Sequence, residues 1–194
     1  ITGILSRYRQ DIPFGEIYLL QAGKPVLEMC TESGRQSDLA EHIARVCRQR
    51  KIEVLHSGEA AGLLVGGTLT QLCASFGTPY AFDPPAGCVL FLDEVGERPY
   101  RLDRMLTQLY LSGILSRASA LVFGELPRCD EPGGTPTARE VVEELTRGFR
   151  GPILYGLPSG HTAGPTMTLP FGVRARVLTS SRPALIIEEA AVTA

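Results

Sequence analysis

Apolar and polar positions change period several times along the 194-residue chain, and each change predicts an element. Near the N-terminus, Ile1–Arg9 resembles the start of a helix, and the apolar run Glu16–Leu20 suits a short strand. Leu39, Ile43, Val46 and Cys47 recur at helical spacing, which predicts a helix over Asp38–Arg50. Asp38 and Glu41 stand as its capping box, and its other face is charged, so it is a surface helix. From Gly58 the texture changes. Gly58, Gly62, Gly66 and Gly67 cluster, and Thr68 is placed to N-cap a short apolar helix through Phe76. The turn Gly77-Thr-Pro-Tyr80 ends that helix.

The stretch Cys88–Leu92 is an unbroken apolar run behind Pro84, Pro85 and Gly87, as expected of a strand buried on both faces. It ends at Asp93-Glu94-Val95-Gly96-Glu97. Leu102, Met105, Leu106, Leu109 and Ile114 mark an amphipathic helix with Gly113 near its end. Ala120–Phe123 repeats the buried-strand pattern. Pro127–Pro136 is a loop rich in Pro, Gly and acidic residues. Thr137 and Glu140 then form a second capping box, ahead of Val141, Val142 and Leu145. Strands are expected at Ile153–Tyr155, Val173–Leu178 and Ala184–Ile187, with the loop Leu157–Pro170 between the first two. Strands alternating with helices predict α/β architecture: a mixed β-sheet with covering helices over residues 58–194, and the tail of an N-terminal α/β domain over residues 1–57.

Composition narrows the function classes. Apolar residues make up 44 % and charged residues 21 %, enough to build a core. The net charge of −2, with no basic block, speaks against nucleic acid as a partner. No apolar run reaches membrane-spanning length. The five cysteines, Cys30, Cys47, Cys73, Cys88 and Cys129, are odd in number and contain no Cys-x-x-Cys pair. That pattern argues against a disulfide framework or a structural zinc site, and for buried thiols in a reducing compartment. The first residue is Ile1 rather than methionine, so further chain is expected upstream.

Three places carry candidate chemistry. Asp93 and Glu94 follow the buried strand directly, where α/β folds hold reactive groups on a rigid support. His161, between Gly160 and Thr162 in a Gly/Pro-rich loop, has a side chain suited to proton transfer near neutral pH. Gly66-Gly67-Thr68 is either a turn offering N–H groups to an anion or a point of close backbone packing. His42, on a charged helix, and His56, before a loop, read as surface residues. A carboxylate and a histidine are two parts of a hydrolytic triad. Ser57, Ser75 and Ser159 are nucleophile candidates, none in a Gly-x-Ser-x-Gly elbow. Cys73 and Cys88 lie in apolar contexts that keep a thiol protonated.

Three strings resemble the LD-carboxypeptidase family. They are Gly58-Glu-Ala-Ala-Gly-Leu-Leu-Val-Gly-Gly-Thr-Leu69 with Gly77-Thr-Pro-Tyr80; Leu90-Phe-Leu-Asp-Glu-Val-Gly-Glu-Arg-Pro-Tyr-Arg-Leu-Asp-Arg-Met-Leu-Thr-Gln-Leu109; and Leu157-Pro-Ser-Gly-His-Thr162 with Leu169-Pro-Phe-Gly-Val173. The family includes murein tetrapeptide carboxypeptidases and immunity peptidases that inactivate microcin C-type peptide–nucleotides. The resemblance implies a serine peptidase without metal or organic cofactor, with His161 as triad base and Asp93 as triad acid. The family's acid is usually glutamate, so Glu94 stands as the alternative. Thr68 occupies a position where the family often has asparagine.

The opening Ile1-Thr2-Gly3-Ile4-Leu5 is similar to the remainder of the family's nucleophile turn, which would put the serine two positions before Ile1. The implied activity is removal of the terminal D-alanine from cytoplasmic murein tetrapeptides by a homodimeric enzyme. Two rival readings are a peptide–nucleotide peptidase, with Tyr80, Tyr100 or Tyr110 as platform for the base, and a non-catalytic binding domain derived from the fold.

Overall fold

The computed structural model describes residues 52–163, 166–180 and 183–190. The expectations for Ile1–Arg9, Glu16–Leu20 and Asp38–Arg50 lie outside them. Seven strands form one sheet: β1 (Glu53–His56), β2 (Glu59–Thr68), β3 (Cys88–Asp93), β4 (Ala118–Gly124), β5 (Ile153–Leu157), β6 (Arg174–Leu178) and β7 (Ala184–Ile187). Their order across the sheet is β1-β5-β4-β3-β2-β6-β7. The four central strands β2 to β5 run parallel, and β1, β6 and β7 add antiparallel pairings at the two margins. Four helices are described: α1 (Leu69–Ala74), α2 (Pro99–Leu111), α3 (Ile114–Arg117) and α4 (Ala138–Thr146). The architecture is the mixed α/β sheet with covering helices that the pattern predicts.

The unbroken apolar run of β3 has a simple cause. All six of its residues are buried, and its five apolar ones point alternately into two cores. Cys88, Leu90 and Leu92 pack with Leu102, Leu106 and Leu109 of α2, Phe123 of β4 and Val142 of α4. Val89 and Phe91 pack with Val122, Ala175, Val177 and Leu185, the last three from β6 and β7 of the same sheet. The sheet therefore curls, so that its far margin covers the face the helices leave open.

β2 makes that curl. Its residues Leu64–Thr68 pair in parallel with β3, while Glu59–Leu63 pair antiparallel with β6. The pattern predicts no strand over these ten residues, and of the two readings of Gly66-Gly67-Thr68 the structure has close backbone packing. A Cβ on Gly62 would overlap the carbonyl oxygen of Gly87, and one on Gly66 that of Phe91. Gly66 also has φ +141°, which disfavours a side chain.

The helices follow local signals more closely. α4 carries the expected capping box: the Thr137 hydroxyl accepts from Glu140 N (3.1 Å), and the Glu140 carboxylate accepts from Thr137 N (2.7 Å). The helix expected to run to Ile114 breaks at Gly113, whose φ of 78° starts the separate short α3. Thr68 precedes α1 but its side chain makes no capping bond.

Candidate active site

The four parallel strands end at one edge, in Thr68, Asp93, Gly124 and Leu157. This edge is where parallel sheets place ligand chemistry. Thr68 lies opposite Asp93 in the β2–β3 register. After Leu157 the chain enters the loop that carries His161. The Ser159 hydroxyl donates to Met167 O (2.7 Å), and Met167 N donates to Pro158 O (2.8 Å), drawing the base of the loop together. Its far end joins the sheet where Leu64 N donates to Val173 O (2.8 Å).

Asp93 and His161, 68 positions apart, meet here. Asp93 Oδ2 accepts from the His161 backbone N–H at 2.8 Å and lies 2.7 Å from His161 Nδ1. The carboxylate is buried, with 3 % of its side chain exposed, whereas the imidazole is 46 % exposed. With Nδ1–H donating inward, the neutral ring carries its lone pair on Nε2. That is the tautomer a general base needs. Burial pushes the Asp93 carboxyl above its ordinary value, and the His161 backbone N–H and imidazole pull in the opposite direction. Its second oxygen, Oδ1, is buried and has no hydrogen-bond partner among the described residues.

Two glycines make room for this carboxylate. A Cβ on Gly160 would lie 2.5 Å from Asp93 Cγ, and one on Gly124 2.6 Å from Asp93 Oδ1. Gly160 also needs its φ of +69° to turn His161 toward the strand end. Gly124 was not among the candidates read from sequence; the signal available was a glycine closing the apolar run of β4.

Glu94 goes elsewhere. It is buried, and its Oε2 accepts from Thr70 N (2.8 Å) and from the Thr70 hydroxyl (2.7 Å), while Oε1 accepts from Val95 N (3.0 Å). It thus caps α1 from outside the helix and replaces the silent Thr68 side chain. Glu94→Ala should lower unfolding free energy by about 1–3 kcal/mol, because it strands three donors, two of them amides. Urea titration at unchanged m measures this.

The remaining candidates have other commitments. Ser75 Oγ donates to Leu72 O (2.6 Å) and accepts from Phe82 N (2.9 Å); Ser159 is buried on Met167 O. Ser57 is exposed between β1 and β2. His56 Nδ1 lies 2.6 Å from Gly151 O, and His42 is outside the described residues. Burial raises the Cys73 thiol to about 11, with the nearby Glu94 charge adding to it; burial also raises Cys88 and Cys129. These thiols stay protonated at neutral pH and are poor nucleophiles. Tyr80, Tyr100 and Tyr110 are all exposed. Among the described residues no group of three His, Cys, Asp or Glu side chains is placed to hold a metal ion. No described helix is long and apolar enough to cross a membrane.

Comparison with known proteins places the chain among carboxypeptidase relatives. A probable murein peptide carboxypeptidase of Bacillus subtilis is 35 % identical over 136 residues, covering 66 % of this chain and 40 % of the relative. The crystal structure of a muramoyltetrapeptide carboxypeptidase from Oxalobacter formigenes superposes with a TM-score of 0.61 at 34 % identity, covering 70 % of this chain and 47 % of that one. The microcin C7 self-immunity protein MccF superposes with a TM-score of 0.72 over 99 % of this chain and 56 % of its own; at 21 % identity this shows a shared fold. The chain thus spans about two fifths of the length of the first curated relative. The LD-carboxypeptidase C-terminal domain profile matches residues 61–177, more than half of the chain. This chain belongs to the LD-carboxypeptidase C-terminal domain family.

Proposed function

We propose that this chain supplies the base and acid of a serine-type L,D-carboxypeptidase. The observation that carries the proposal is the Asp93–His161 pair at the parallel strand ends, with its carboxylate buried and its imidazole half exposed. His161 takes the proton of a serine hydroxyl, that serine attacks the scissile carbonyl, and His161 then returns the proton to the leaving D-alanine amine. Asp93 holds the ring in the required tautomer and stabilises the imidazolium. Glu94, engaged with Thr70 and Val95, does not share this role. The serine lies outside the described residues, in the N-terminal domain that ends near residue 57. The substrate is a cytoplasmic murein tetrapeptide, in keeping with the names of the murein peptide relatives, and the enzyme acts as a homodimer, as the family resemblance implies.

The test is D-alanine release from L-Ala-D-Glu-meso-diaminopimelate-D-Ala. The isolated chain should show no turnover, and the chain joined to its N-terminal domain should show it. Turnover by the isolated chain would redirect the search to Ser57, Ser75 and Ser159, of which Ser57 is the exposed one. A peptide–nucleotide offered as competitor separates the substrate classes: preferential cleavage of it would replace the murein reading. Binding of the tetrapeptide by the complete protein without cleavage would make this a binding domain.

A further inference from the structure

The end of β4 lies against Asp93 and against the loop that carries His161. Gly124, its last residue, faces Asp93 Oδ1, the carboxylate oxygen that no described donor holds. A Cβ there would lie 2.6 Å from Oδ1, 3.4 Å from Cγ and 3.3 Å from the Ser159 carbonyl oxygen. The next residue, Glu125, accepts a hydrogen bond through Oε2 from the backbone N–H of Ala163 at 3.2 Å. The histidine loop is therefore held by alternate amides on two carboxylates from neighbouring strand ends: His161 N on Asp93 and Ala163 N on Glu125. Those two amides bracket the segment from which the imidazole projects.

We propose that Gly124-Glu125 positions the catalytic pair, a role resting on the assignment of His161 and Asp93 above. Gly124 shapes the slot that holds the carboxylate on its Oδ1 side, and Glu125 fixes the loop on the far side of His161. Neither residue touches the reacting atoms; both act through the placement of His161 Nδ1 on Asp93 Oδ2. Loss of either anchor lets the imidazole drift. A misplacement on the order of 1 Å costs about a hundredfold in rate without weakening ground-state binding much.

The experiment combines two readouts. One is the low-field proton resonance of His161 Nδ1–H in the 194-residue chain, which needs no substrate and no nucleophile. The other is kcat and KM for tetrapeptide cleavage by the chain joined to its N-terminal domain. Glu125→Ala should broaden or abolish the resonance and lower kcat about tenfold, with KM within about twofold. Glu125→Gln keeps an amide oxygen that can accept from Ala163 N, so it should restore both readouts most of the way. Gly124→Ala should displace the carboxylate and lower kcat by about a hundredfold or more.

If Gly124→Ala does not fold, the Glu125 pair decides alone. An unchanged resonance and unchanged kcat in Glu125→Ala, even with lower thermal stability, would overturn the proposal; so would a wild-type protein lacking the resonance. Failure of the functional reading looks different. In that case the complete protein lacks cleavage, or His161→Ala cleaves as well as wild type, while the resonance still reports whether Glu125 holds the ring.

Discussion

In the complete protein, His161→Ala should reduce D-alanine release by about four to six orders of magnitude, the scale of loss when a triad loses its base. The size follows from the double duty of one side chain. A serine hydroxyl is a weak nucleophile at neutral pH, and an amine is a poor leaving group unless protonated. In the proposed mechanism the imidazole serves both steps, from a position where one nitrogen is tied to a buried carboxylate and the ring is half exposed. KM should change little, since the ring acts on the transition state rather than on the bound peptide. The fold should persist, because the imidazole is not core, although buried Asp93 loses its bond to the ring and with it some stability. The check is steady-state kinetics on the tetrapeptide alongside a thermal melt. Equal release by wild type and variant would remove His161 from the mechanism, whatever the fold.

Much of this site can be read from sequence where the determinants are local. The β3 run announces a strand buried on both faces, and its end marks where the acids emerge. The Thr137 and Glu140 capping box of α4 lies within one turn and appears as expected. Long-range determinants are not legible in this way. β2 hides behind its glycines, because its need for them comes from the carbonyls of Gly87 and Phe91, residues of other segments. The cap of α1 is supplied by Glu94, 24 positions from its partner Thr70.

The choice between Asp93 and Glu94 depends on the same distant facts. Both stand at the end of one strand, and composition treats them alike. Asp93 sits against Gly124, Gly160 and the His161 amide, while Glu94 is drawn to α1. Neither set of contacts has a signature near residue 93. Triad chemistry suggests that His161 works with a carboxylate, but no periodicity links positions 68 apart, and the roles of His161 and Asp93 rest on family resemblance.

Asp93→Asn should separate catalysis from stability, and the two should move in different directions. Turnover should fall by about ten-thousandfold, as when other triads exchange their acid for the amide. A neutral amide does not stabilise the imidazolium, and its NH2 group can donate to Nδ1 and select the wrong tautomer. Stability at neutral pH should hold or rise. The carboxylate is buried with one oxygen unpartnered, and burial sets its folded pKa above the ordinary aspartate value. Ionisation of such a group favours the unfolded chain. The cost is absent below the unfolded-state pKa of about 4, where both states hold the proton. It grows as the pH rises through the interval up to the folded value and is fully present above it. The melting temperature of Asp93→Asn relative to wild type should therefore become more favourable as the pH is raised from about 3 to about 7. A relative melting temperature that instead falls over that range would show that the bonds to His161 outweigh the desolvation of the carboxylate, and that Asp93 stabilises the fold as well as the reaction.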